Sequence, residues 1–168
     1  WRKLGSDGAW VTWLAAQGIA VAPLVASNCG FDLVWSDIFK AKYAGEPLKN
    51  IWSTTDPAGE WRAGEAMITA TGIEGGSIYA QAAALRQAIQ EDGYATLYLD
   101  LAPQKTVAQL TQALSQARGR DSWANHLRRR AGIEGVKARL LREVFGANLP
   151  EAAADLASAI KALPLKLL

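Results

Sequence analysis

The chain has 168 residues, 50% of them hydrophobic and 20% charged, with a net charge of +2. That mixture is too apolar for a disordered segment, and no run of about 18 uninterrupted apolar residues exists to form a membrane-spanning helix. One cysteine, Cys29, and one histidine, His126, exclude an internal disulfide and a Cys/His zinc site, so the chain reads as a cytoplasmic protein of one domain, or of one domain with a lobe attached. It opens on Trp1 rather than Met, shows no signal-peptide pattern, and reads as a piece of a larger protein.

Gly5-Ser-Asp-Gly8 followed by an apolar run to Gln17-Gly18 predicts a first helix, capped by Ser6 or Asp7 and stopped by Gly18. Trp10 and Trp13 on that helix suit a core or an interdomain seam. Short β-like runs follow at 19–24, 31–35, 48–54 and 65–71, with turn residues between them and one or two helical turns at 36–43. Four such strands suggest an antiparallel sheet or small barrel. The turn Thr71-Gly-Ile-Glu-Gly-Gly-Ser77 leads into a helix over 78–91, where Ile78, Ala82, Leu85 and Ile89 recur at helical spacing. Asp92-Gly93 ends it, 94–101 reads as a strand, and helices follow at 106–117, 122–131, 136–145 and 150–163, with Thr106, Ser122 and Pro150 at their starts. The fold class is therefore α+β: a β-rich body over 1–103 with two helices, a helical bundle lobe over 104–163, and a returning strand at 164–168.

Charge divides along the same line. Residues 56–117 hold three basic and seven acidic side chains, whereas 118–143 hold eight basic against three acidic. A basic helical lobe is thus concealed in a near-neutral total.

Two glycine-rich helix starts carry the strongest chemical signal. Gly5, Ser6, Asp7 and Gly8 at the first, and Thr71, Gly72, Glu74 and Gly75 at the second, put small residues where backbone N–H groups are available to a ligand, although ordinary capping uses the same residue types. Neither is a Gly-x-Gly-x-x-Gly dinucleotide fingerprint, which is absent throughout. His126, between Trp123 and three arginines, reads as a surface or interface residue, and Cys29 as a small, partly buried thiol. The segment 127–141, two arginine-bearing helices joined by Gly-Ile-Glu-Gly, supplies an alternative function: a helix-hairpin-helix-like module binding nucleic acid.

The segments Trp1-Arg-Lys-Leu-Gly-Ser-Asp-Gly-Ala-Trp10, Gly45-Glu-Pro-Leu-Lys-Asn50, Thr69-Ala-Thr-Gly-Ile-Glu-Gly75, Ala124-Asn-His-Leu-Arg-Arg129 and Ile160-Lys-Ala-Leu-Pro-Leu165, in this order along the chain, resemble the interior of the aminoacetone oxidase or BaiN-like family of FAD-dependent flavoproteins. In that family an inserted domain, a β-barrel-like body with a helical bundle, interrupts the dinucleotide-binding fold. The resemblance implies an insert of a bacterial-type flavoprotein, with FAD held mainly by the chain's own dinucleotide-binding domain and a small-molecule substrate beneath the insert. It implies the eight glycine-turn residues above as contacts to flavin or substrate, while the hydropathy and the single Cys and His already speak against a membrane span and a metal site. The wider family tends to carry Thr-Gly-Ser-Thr-Gly at the first turn and a histidine in the second; here stand Leu4-Gly-Ser-Asp-Gly8 and Thr69-Ala-Thr-Gly-Ile-Glu-Gly-Gly76. No catalytic acid or base follows from the resemblance.

Overall fold

The computed structural model describes residues 2–168. Its centre is a six-strand antiparallel sheet of β1 (Phe31–Asp32), β2 (Pro47–Thr54), β3 (Arg62–Ile68), β4 (Gly72–Glu74), β5 (Ala95–Asp100) and β6 (Leu163–Leu167), in the order β1-β4-β3-β2-β5-β6. The two ends of that order meet. The Asp32 N–H donates to the Leu168 carbonyl at 3.3 Å and the Leu168 N–H to the Asp32 carbonyl at 2.9 Å, which curls the sheet into a nearly closed barrel. An even number of alternating strands lets the seam be antiparallel like every other pair.

Alternation explains which side chains fill the interior. Ala95, Leu97 and Leu99 of β5 and Leu163, Leu165 and Leu167 of β6 are buried at every second position, and Leu48, Ile51, Ile68, Ile73 and Phe31 join them from the other strands. One irregularity interrupts the wall. Between Leu48 and Ile51, β2 advances three residues while β3 advances two, from Ala66 to Gly64, and Asn50 absorbs the bulge at φ 51°. Asparagine tolerates the left-handed region better than the branched residues around it.

Eight α-helices surround the barrel among the described residues. α1 (Ala9–Ala16) precedes it; α2 (Asp37–Tyr43) follows β1; α3 (Gly76–Tyr79) and α4 (Ala82–Asp92) bridge β4 to β5; α5 (Val107–Leu114), α6 (Trp123–His126), α7 (Gly135–Phe145) and α8 (Ala153–Lys161) form a run between β5 and β6. Ser36, Thr106 and Ser122 each accept a hydrogen bond from a backbone N–H three residues on, the N-cap geometry that their hydroxyls favour. α6 continues as a π-helical turn, Leu127–Ala131, stopped at Gly132.

Several elements differ from the sequence reading. The apolar run at 19–24 is not a strand, for it has no sheet neighbour. Residues 72–74, expected in a turn before a helix, form β4 between β1 and β3. The helix expected over 78–91 is broken at residues 80–81, where the Gln81 side chain donates to the Ser53 hydroxyl at 2.7 Å and to the Ser77 carbonyl at 3.1 Å. α8 starts at Ala153 rather than beside Pro150. No helix among the described residues is long and apolar enough to cross a membrane.

Candidate functional site

The two glycine turns have different structural positions. At the first, Gly8 caps α1, the Asp7 carboxylate accepts from the Ala9 N–H at 2.9 Å, and Gly5, Asp7, Gly8, Ala9 and Thr12 line a shallow hollow of about 480 Å³. At Gly5 an added Cβ would meet nothing within 4 Å, so the space beside its Cα is open. Ser6 is exposed in the same turn.

The second turn is built into the barrel wall. The Gly72 N–H donates to the Thr69 hydroxyl at 2.9 Å, and the Gly72 carbonyl accepts from the Thr69 N–H at 2.8 Å and the Trp35 indole at 3.2 Å. A Cβ on Gly72 would lie 1.9 Å from the Phe31 carbonyl oxygen, so the close approach that glycine permits is made by β1. Gly75 holds φ 113°, with a built Cβ 3.1 Å from the Ala66 Cα. Thr71, Glu74 and Gly76 are the exposed members of this turn.

The buried polar groups are spoken for. Among the described residues no buried side-chain nitrogen or oxygen lacks a partner, and no group of three or more His, Cys, Asp or Glu converges as a metal site would. Ser53, Ser77 and Gln81 form a closed hydrogen-bonded set between β2 and the break after α3. His126 is buried rather than on the surface, its Nε2 3.3 Å from the Leu114 carbonyl, and joins α6 to the end of α5. Cys29 is partly buried against the core, as expected.

Three lysines converge where the helical run meets the barrel mouth. Lys137 of α7 donates to the carbonyls of Asn50 at 2.9 Å and Leu101 at 2.8 Å; Lys161 of α8 pairs with the Asp100 carboxylate and donates to the Lys105 carbonyl at 2.9 Å; Lys105 donates to the Ala131 carbonyl at 2.8 Å. The bulge at Asn50 explains the first contact, since it frees a carbonyl from the ladder and offers it to the ammonium. Burial pushes the Lys137 ammonium below the ordinary lysine range, while the Asp100 carboxylate pulls it back up. Every donor in this cluster has a backbone acceptor, and its chemistry is that of a clamp.

A larger cleft than the hollow at Gly5–Gly8 lies between α2 and the α6–α7 pair. It measures about 780 Å³ and is lined by Lys42 and Tyr43 from α2, Trp123 and Asn125 from α6, Arg128 from the π-helical turn, and Glu134, Arg139 and Arg142 at and along α7. Sequence reading located the basic lobe but not this concavity, because α2 lies 80 residues earlier in the chain and its approach to α7 is a tertiary event. The three consecutive arginines do not act as one face: Arg128 lines the cleft, Arg129 pairs with Asp121 at 3.0 Å, and the Arg130 carbonyl faces the Lys105 ammonium at 3.5 Å.

Comparison with curated proteins gives no match. Residues 25–168 match the family model described as the HI0933-like protein barrel and H2TH domain, and the barrel of that description corresponds to the six-strand sheet closed at Asp32 and Leu168. With the match spanning all but the first 24 residues, the chain belongs to the HI0933-like flavoprotein family, whose interior its motifs resemble.

Proposed function

We propose that this chain is the inserted, substrate-side domain of an FAD-dependent oxidoreductase, set over the isoalloxazine opposite the linked dinucleotide-binding domain that the family implies. The observation that carries the reading is α1. Its sequence is almost wholly apolar, yet it buries no residue, and Trp13 is 72% exposed with Leu4, Leu24 and Val25 also exposed nearby in sequence. A lone domain in water rarely leaves so much contiguous apolar chain uncovered, and a second domain packed on this flank accounts for it.

In this reading Gly5, Ser6, Asp7 and Gly8 face flavin or substrate from the hollow that Gly5 leaves open, Thr71 and Glu74 do so through exposed side chains, and Gly72 and Gly75 keep the wall behind them in shape. The hollow at Gly5–Gly8 fits the edge of a planar group; the buried turn at Gly72 fits none. Bound FAD would supply the hydride chemistry, and the residues of this chain would shape the pocket and exclude water from it.

The test compares the 168-residue chain with the protein carrying its dinucleotide-binding domain. Flavin fluorescence titration of the chain alone, with excess ADP present to fill any separate phosphate-binding cleft, should show no saturable binding at micromolar protein, and amide exchange in α1 should be fast in the chain alone and slowed in the complete protein. Stoichiometric FAD binding by the chain alone, or equal exchange in both, would sink the reading.

A further inference from the structure

We propose that the cleft between α2 and the α6–α7 pair is a binding site for a small phosphorylated ligand, one carrying at least two phosphate charges on a planar ring system. This goes beyond the flavin reading and does not depend on it. Four cations line the cleft, Lys42, Arg128, Arg139 and Arg142, against one carboxylate, Glu134. None of the four has a carboxylate within 4 Å among the described residues, so their charge in the cleft is not offset by an ion pair. The four come from three separate elements, and an anion seated in the cleft would offset their mutual repulsion. Three of the four are arginines, whose planar guanidinium forks match phosphate oxygens two at a time.

The wall between the charges fixes the rest of the ligand. Trp123 of α6 is a half-buried aromatic lining the cleft, Tyr43 of α2 lines it too with its ring already packed 5.2 Å from Phe39 and 5.5 Å from the Lys42 ammonium, and Ile38 adds an apolar edge. Indole and phenol rings beside cations accept a flat ring better than a bare inorganic ion. The volume, about 780 Å³, falls in the range of small-molecule pockets. Arg128 enters from a π-helical turn, a departure from regular helix that recurs where side chains must be aimed at a ligand.

A duplex backbone is the competing source of phosphate, and the geometry favours the small ligand. A nucleic-acid surface presents its cations along a protruding face, but here the arginine run is divided: Arg129 is held by Asp121 and only Arg128 lines the concavity, facing cations contributed by α2 and α7.

The probes are ADP, inorganic pyrophosphate and a short DNA duplex, titrated into the 168-residue chain by calorimetry at about 0.05 M salt, where exposed charges are weakly screened. The expected result is saturable one-to-one binding of ADP, weaker binding of pyrophosphate, and weaker binding still of duplex. The double variant Arg139→Gln/Arg142→Gln should weaken ADP about tenfold or more, Trp123→Leu should weaken ADP but leave pyrophosphate unchanged, and Arg120→Gln, which removes a cation outside the lining, should alter neither. Should the double variant unfold, as near-UV circular dichroism would report, Lys42→Gln/Arg128→Gln on exposed side chains answers the same question. No saturable binding of ADP or pyrophosphate, equal loss in Arg120→Gln, or tighter binding of duplex than of ADP would each overturn the proposal.

Discussion

At the scale of single residues, the position that tolerates least is Gly72. Its missing Cβ is where the Phe31 carbonyl lies, and an added methyl would stand 1.9 Å from that oxygen and 2.8 Å from the Asp32 Cα. Both neighbours are backbone, so no side-chain rotation relieves the clash, and β1 must leave β4 for the variant to exist. Gly72→Ala should therefore lower unfolding stability by about 3 kcal/mol or more, read as a fall in urea midpoint with an unchanged slope if the fold survives. Gly76→Ala is the control, because a Cβ there meets nothing within 4 Å. The sequence distinguished these glycines only as members of one turn. Which of them approaches another strand depends on the pairing of Asp32 with Gly72, a contact forty residues away that no local pattern records.

At the scale of elements, local signals were legible where the cause is local. Thr106 and Ser122 announced helix starts because a hydroxyl three residues ahead of a free N–H is sufficient chemistry, and both caps form. In α5 the arrangement is reciprocal: the Thr106 hydroxyl accepts from the Gln109 N–H at 3.2 Å, while the Gln109 amide oxygen accepts from the Thr106 N–H at 2.9 Å. Thr106→Ala should cost about 1 kcal/mol, and Gln109→Ala in that background should cost less than it does alone, a double-mutant cycle in thermal or urea unfolding. Strands over 48–54 and 94–101 were legible from β-branched and apolar runs of adequate length. β4 was not: three residues, two of them Gly and Glu, carry no strand signature, and only neighbours on both sides make them one. The run at 19–24 failed in the opposite sense, having strand composition without a strand to pair. The glycine turns of the candidate site were visible in sequence, but their division into an open hollow at Gly5–Gly8 and a committed wall at Gly72 was not. The basic cleft was half visible, as charge without shape.

At the scale of the whole molecule, one apolar core runs through barrel and helices, and lysine amines reaching backbone carbonyls add a polar clamp across their junction. Folding disfavours protonation of Lys137, since burial lowers its pKa from 10.5. Between the lowered value and 10.5 the unfolded chain retains a proton that the folded chain has shed, so this group makes stability rise with pH across that window, and its destabilising desolvation is fully present below it. Lys137→Met should be less stable than the parent by about 1–3 kcal/mol at neutral pH, because two carbonyls lose their donor. The gap should then widen as pH climbs toward 10.5, measured by urea unfolding of both proteins across the alkaline range. The seam between Asp32 and Leu168 bears on how such a molecule comes into being. A chain made from its N-terminus presents β1 to β5 well before residues 163–167 supply the sixth stave, so for the time needed to synthesise α5 to α8 the outer edge of β5 lies unpaired. Ribosomal pausing within that interval would prolong the exposure of Ala95–Asp100, a strand with three buried apolar positions, and yield would become a matter of translation speed and chaperone supply rather than of the stability of the finished barrel.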